Sequence, residues 1–357
     1  MSEFEFFRTS LKRSASCPLY DSSNSDEDLK ILNKTQKFED PGYTREKKIA
    51  IKHRILEYKP YTEDRSWNSI ITIGHKKYTI MSMADGHGSI RDNSYKCSKF
   101  IMGRIVVYSD IISVESSGPA DFLARLFVFL ERETNIPSNK ISLCGTGTTL
   151  CVGLIDIKDH ICWVGNLGDS VCQVIRNDPL TGLRTQIFRT IDHDAGSIKE
   201  QDRIKLLAPR SYFTTNGVST RLNGRLMVVG GFGDWDLETA IGVIRRKPDI
   251  SSFQLNKHDV VIISSDGLFE KVYGGKIGIG PGRHEDEVFI AEDVEMFFRQ
   301  DEEKSLSKFL HNNHINRMTK EYLITSGLDS DNSNNLEKYK CTITSSNDNN
   351  AILTHII

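Results

Sequence analysis

Two apolar runs, TTLCVGLIDI ending at Ile157 and HICWVGNL starting at His160, are separated only by Lys158-Asp159. Strand-length runs joined by a two-residue polar turn have one economical arrangement, a tight antiparallel hairpin. A parallel pairing would need a crossover of about a dozen residues, and there is no room for one. The pattern recurs along the chain. KYTIMSMA, ending at Ala84, is an apolar strand that runs into Asp85-Gly86-His87-Gly88. DVVIISSDG is a short buried strand ending at Asp266-Gly267, and AILTHII closes the sequence. After Pro119, Phe122, Leu123, Leu126, Phe127 and Leu130 recur at helical spacing, and Asp92–Ile112 reads as a second helix. Locally joined strands with long helices between groups predict an α+β fold of antiparallel sheets rather than a doubly wound parallel sheet.

Residues 1–45 are rich in Ser, Asp, Lys and Asn, include YDSSNSDEDL and read as a polar tail; the folded domain is expected over 46–357. An insertion is expected at 274–346. Within it GGKIGIGPGRHEDE reads as a loop, DVEMFFRQ and the stretch from Glu302 to Ile324 as helices, and SGLDSDNSNNLEKYK as polar linker. A net charge of −2 gives no basic field for nucleic acid or an anionic membrane. No apolar run approaches the ~18 residues of a membrane span, and the N-terminus lacks the apolar core of a secretory signal. Seven cysteines occur without a C-x-x-C pair, and Cys144, Cys151, Cys162 and Cys172 fall in apolar segments, as buried thiols do. An intracellular setting, cytoplasmic or nuclear, is expected.

The acids have a recurring position. Glu63, Asp64, Asp85, Asp169, Asp234, Asp266 and Asp348 each lie at or near the point where an apolar run meets a turn. Carboxylates rarely gather at the ends of buried strands unless they are paired or hold a cation. An all-oxygen set selects hard Mg²⁺ or Mn²⁺ over zinc. Glycine after Asp85 and Asp266 permits a sharp turn and a close approach of backbone carbonyl to an ion.

In order, YKPYTEDRSW, MADGHGS, GTGTTL, WVGNLGDS, DHDAGSIKEQDRI, LMVVGGFGDWD, KPDI, VVIISSDGLFEKV and NDNNAILTHII resemble the successive motifs of the protein phosphatase 2C family. These are metal-dependent serine/threonine protein phosphatases. The resemblance spans about residues 50–357 and implies two antiparallel sheets packed as a sandwich and flanked by helices, with a two-metal site at one end. It implies that Asp85 bridges both ions, that Glu63 and the Gly86 carbonyl complete one, and that Asp266 and Asp348 complete the other. Asp64 matches a position that orients the attacking water, and His87 one that protonates the leaving Ser or Thr oxygen. Asp169 and Glu270 match positions near a third, weaker ion. Phosphoprotein substrates follow.

Several positions depart from the family pattern. Lys59 stands where an arginine usually grips the substrate phosphate, keeping the charge but losing the two-pronged fork. Glu270 replaces an aspartate, Val171 an arginine, and Gly230-Gly231 occupy a stretch that usually carries an arginine. Those losses leave an alternative, a catalytically impaired relative that binds phosphoproteins. Asp331 competes with Asp348 as the last ligand, but only Asp348 leads into an apolar strand. In the tail, Arg13, Ser16 and Pro18 are spaced as in a phosphoserine motif read by 14-3-3 proteins.

Overall fold

The computed structural model describes residues 52–54, 63–88, 93–178, 180–215, 219–235, 242–269, 271–273, 276–278, 286–299, 305–325 and 352–357. The expectations placed on Ser16, Lys59, Glu270 and Asp348 lie outside these residues. In chain order the first strands are β1 (Lys52–Arg54), β2 (Arg65–Ile73), β3 (Lys76–Ala84) and β4 (Gly86–Gly88). Helices α1 (Tyr95–Glu115), α2 (Pro119–Asn135) and α3 (Pro137–Ser142) follow. Next come β5 (Thr146–Thr148), β6 (Leu150–Asp156), β7 (Ile161–Leu167), β8 (Val171–Asn177) and β9 (Arg184–Arg189). Helix α4 (Ile198–Leu207) precedes β10 (Phe213–Thr215), β11 (Thr220–Leu222), β12 (Phe232–Gly233), β13 (Asp249–Gln254) and β14 (Val260–Ser264). The described chain ends with β15 (Lys271–Tyr273), β16 (Lys276–Gly278), α5 (Asp286–Arg299), α6 (Leu306–Thr325) and β17 (Ile352–Ile356).

Two five-stranded antiparallel sheets carry the fold, one ordered β13-β7-β6-β3-β2 and the other β1-β17-β14-β8-β9. The inner strands β3, β6, β7, β8 and β14 are largely buried on both faces, which explains why they read as near-continuous apolar runs. Along β3, Met81 and Met83 face the second sheet while Tyr78 and Ile80 face the helices. The inter-sheet core joins those methionines, Cys151, Ile155 and Val164 to Cys172, Val174, Val261, Ile263 and Leu353. Outside the first sheet, α1 and α2 contribute Ile101, Ile105, Phe122, Leu126 and Phe127 to a second core. Outside the second sheet, Ile290 and Val294 of α5 and Leu306 and Leu310 of α6 cover Val171, Ile175, Val260 and Ile262. Each such large side chain taken from water contributes about 1.5–3 kcal/mol. Helices, sheet, sheet and helices thus form four layers, as the sequence predicts.

α2 begins as its sequence requires. Pro119 occupies the first turn, and Asp121 accepts a hydrogen bond from the Ser117 amide (2.9 Å) and pairs with Arg125 one turn on (2.9 Å). Three expectations need correction. Lys276–Gly278, expected to be loop, pairs with Lys271–Tyr273 as a short hairpin. α5 starts at Asp286, well before the apolar stretch that signalled a helix, because Glu287 through Asp293 continue the pattern without a breaker. Cys144 is exposed: it lies in the turn after α3, whereas Cys151, Cys162 and Cys172 are buried.

The β6–β7 turn is built on Asp156. Its Oδ1 accepts the amides of Lys158 and Asp159 (both 2.9 Å), and Lys76 donates to its Oδ2 (3.1 Å). Burial opposes the carboxylate, but these amides and Lys76 outweigh it and hold its pKa below the ordinary value. A depressed folded pKa gives stability that is present above the unfolded pKa and lost as pH falls through the folded one. Asp156→Asn is therefore expected to unfold earlier than wild type at pH 7, by about 1–2 kcal/mol. The gap should begin to narrow as pH falls below about 4 and close only below the depressed folded pKa, read by denaturant unfolding across that range.

Candidate active site

Strand register decides where the acids emerge. β2 opens at Arg65 opposite Ala84, the last residue of β3, so Glu63-Asp64 and Asp85 leave one end of the first sheet together. Leu150, opening β6, pairs with Leu167, closing β7, which sends Gly168-Asp169 out at that end too. In the second sheet Val171 opens β8 opposite Ser264, the end of β14, so Asp169 and Asp266 also emerge side by side. Ile352 of β17 pairs with Ser264, so the last strand enters from the same end. One end of the sandwich thus collects Asp64, Asp85, Asp169 and Asp266, all buried, with Glu63 half-buried.

The loops there are pinned from several sides. The Asp85 amide donates to Thr149 Oγ1 (3.1 Å), and Thr149 Oγ1 lies 2.6 Å from Ser170 Oγ, linking the two sheets beside Asp169. The Asp85 carbonyl accepts from the Thr149 amide (2.9 Å) and from Thr148 Oγ1 (2.8 Å). Ser98 of α1 donates to the Glu63 carbonyl (2.5 Å). Gly86 must be glycine: a Cβ there would stand 2.8 Å from the Glu63 carbonyl oxygen and 2.7 Å from that of Ser94. That close approach is what sets the Glu63 backbone against the Asp85-Gly86 turn.

A three-stranded sheet, ordered β12-β5-β4, carries the remaining chemistry. His87 pairs with Gly147, and Gly147 in turn with Gly233, so Asp234 follows directly beside the imidazole. His87 Nε2 and Asp234 Oδ2 are 2.9 Å apart. Burial works against the imidazolium, but the charge and hydrogen bond of Asp234, reinforced by Asp169 and Glu63, raise the His87 pKa. A Cβ on Gly147 would fall onto Asp234 Oδ2 and His87 Nε2, inside their hydrogen bond. Gly147→Ala is therefore expected to separate the pair, read as a change in the ring-nitrogen NMR shifts of His87 in the folded variant.

Behind Asp169, His193 Nδ1 accepts from the Gly168 amide (3.1 Å) and Nε2 faces Asp249 (3.0 Å). Arg245 binds Asp249 and Glu200, and Glu200 binds Arg203 (2.7 Å). Burial lowers the His193 pKa, in keeping with a neutral ring that accepts at Nδ1. In the sequence Asp234 stands among the strand-end acids with nothing to mark its partner. Nothing in the sequence marks Ser98, His193 or Gly147 for the contacts they make here.

Among the described residues no group of three or more His, Cys, Asp or Glu side chains forms a metal-ligand set by itself. The expected ligation draws on few described side chains per ion: Glu63 and Asp85 with a carbonyl for one, Asp85 and Asp266 for the other. Magnesium is commonly held by one or two carboxylates with water completing its shell. Buried oxygen donors of several strand ends, with Gly86 bare enough to present its carbonyl, fit a hard divalent ion.

Buried acids thus gather at one end of a two-sheet sandwich with helices outside. The chain belongs to the protein phosphatase 2C family: the family's model matches residues 78–274, more than half its length. Comparison with curated proteins gave no significant match. Among solved structures, it is similar to a sex determining protein of C. elegans, with a TM-score of 0.55 and 18% identity. That alignment covers 86% of this chain and 64% of the other, so the chain spans less than two thirds of that protein. A phosphatase from Toxoplasma gondii aligns with a TM-score of 0.52 and 13% identity over 76% of this chain and 82% of that one. These likenesses concern the fold. No helix among the described residues is long and apolar enough to cross a membrane.

Proposed function

We propose that the chain is a Mg²⁺- or Mn²⁺-dependent protein serine/threonine phosphatase acting on phosphoserine and phosphothreonine. The observation that supports this best is the delivery of Glu63, Asp85 and Asp266 to one end of the sandwich, beside a histidine held by Asp234. In this reading Glu63, Asp85 and the Gly86 carbonyl hold one ion, and Asp85, Asp266 and Asp348 the other. Asp169 and Glu270 stand at a third, weaker position. When bound, such ions lower the pKa of water toward neutrality and offset the charge of a phosphoryl group.

The chain's own residues supply the rest. With His87 Nε2 directed at Asp234, the proton available to substrate sits on Nδ1. As the phosphorus–oxygen bond breaks, the departing Ser or Thr oxygen takes that proton and leaves as the alcohol. The Asp234 carboxylate against Nε2 favours the protonated ring, which leaves Nδ1–H as the donor. Asp64, buried beside the Asp85 turn, orients the attacking water, and Lys59 supplies positive charge for the phosphate.

The purified full chain loaded with Mn²⁺ is expected to hydrolyse an aryl phosphate and a phosphothreonine peptide, and a chelator to stop both. Hydrolysis of neither would overturn the reading. Binding of the phosphopeptide without turnover would favour the impaired relative instead, in line with Val171, which lies fully buried where the family usually has arginine.

A further inference from the structure

The strand pairing that brings Asp234 to His87 leaves one problem. Gly233 and Asp234 are consecutive residues in the left-handed region, with φ of +81° and +53°. For a non-glycine residue this conformation costs roughly 1–2 kcal/mol. Asp234 is tied by its amide to the Thr146 carbonyl (2.8 Å), which does not by itself hold the preceding turn. The next strand segment supplies the missing restraint. Arg245 runs parallel to Gly230, its carbonyl accepting the Gly231 amide (3.1 Å), and this places Arg246 over the turn. Arg246 Nη1 donates to the Gly231 carbonyl (2.5 Å) and Nη2 to the Gly233 carbonyl (2.8 Å). The guanidinium also covers the ring of Trp235, 4.7 Å from its centroid, so its fork is held on both sides of Asp234.

The two glycines make this necessary. A Cβ at Gly231 would lie 2.6 Å from the Thr148 carbonyl oxygen, and one at Gly230 would lie 2.8 Å from the His193 Cβ. This backbone therefore accepts no arginine at either position, and a cation must arrive from elsewhere. A planar fork that bonds two carbonyls at once is a task that lysine cannot copy in full.

We propose that Arg246 is a positioning residue for this active site: by clamping the Gly231 and Gly233 carbonyls it holds Asp234 where it orients His87. This rests on the reading of His87 as the acid. The test uses the full chain, with Mn²⁺ for kinetics and without metal for spectroscopy. Arg246→Ala is expected to lower kcat on a phosphothreonine peptide about tenfold to a hundredfold, with KM and Mn²⁺ affinity within about twofold, as for a residue acting through geometry alone. Arg246→Lys should recover part of the loss. In an Asp234→Asn background Arg246→Ala should cost nothing more, because the clamp acts only through Asp234. A structural role alone would lower the melting temperature and leave kcat of the folded protein unchanged, which would overturn the proposal, as would additive losses in the double variant. The ring-nitrogen NMR shifts of His87 decide the matter independently of turnover. They should move in Arg246→Ala toward those of Asp234→Asn, and unchanged shifts would overturn the clamp even if the protein hydrolyses nothing. If Arg246→Ala fails to fold, Arg246→Lys, which keeps charge and stem, carries the same comparisons.

Discussion

Asp85→Ala is expected to abolish Mn²⁺-dependent hydrolysis, by at least about a thousandfold, because it removes the one side chain assigned to both ions. The consequence for stability has the opposite sense. Asp85 is buried at the end of β3, in a neighbourhood shared with Asp64, Asp169 and Asp266. Without metal, removing one of several buried carboxylates relieves mutual repulsion, so the metal-free variant should melt no earlier than metal-free wild type. Added Mn²⁺ should raise the melting temperature of wild type and leave that of the variant nearly unmoved, since an ion that binds only the folded state stabilises in proportion to its affinity. A variant that keeps both its activity and its Mn²⁺-dependent stabilisation would show that the ions, if any, bind elsewhere. Calorimetric titration beside thermal melts makes the measurement.

His87→Gln separates acid catalysis from everything else at the site. Serine and threonine alkoxides are poor leaving groups and need a proton, so hydrolysis of a phosphothreonine peptide should fall by about 10²–10⁴-fold. A nitrophenyl phosphate leaves as a stabilised phenolate and should suffer far less. Mn²⁺ binding should persist, since the imidazole is directed to Asp234 (2.9 Å) rather than assigned to an ion. Equal losses on both substrates would mean that His87 serves phosphate binding or folding instead.

The layers of this fold were legible because their causes are local. The Lys158-Asp159 turn, Pro119 ahead of a helical stripe and the unbroken apolar run at Val260–Ser264 each dictate an element within a few residues. The order of strands in the sheets is a different kind of fact: β3 meets β6, and β14 lies between β17 and β8, through contacts distant in sequence. The site divides along the same line. Acids at strand ends are visible one at a time, and the resemblance to the family supplied their order. What escaped is contact at long range, such as Asp234, 147 residues from His87 and brought beside it through β5. Gly147 and Gly231 are likewise indistinguishable in sequence from any loop glycine; their meaning is the oxygen that a methyl group would strike. Cys144 differs for a simpler reason: its sequence neighbourhood is apolar, but the chain there turns outward.

That outward turn has a practical use. Burial raises the pKa of Cys151, a hydrogen bond with Cys172 and then burial raise that of Cys162, and closed packing shields Cys172, so alkylating reagents meet no reactive thiol in the sandwich interior. Cys144 stands in water, three residues ahead of the glycine that lies beneath the histidine–carboxylate contact. With Cys17 and Cys341 exchanged for serine, a fluorophore coupled at Cys144 becomes a reporter beside the His87–Asp234 pair, able to follow ligand binding there by light without touching either side chain.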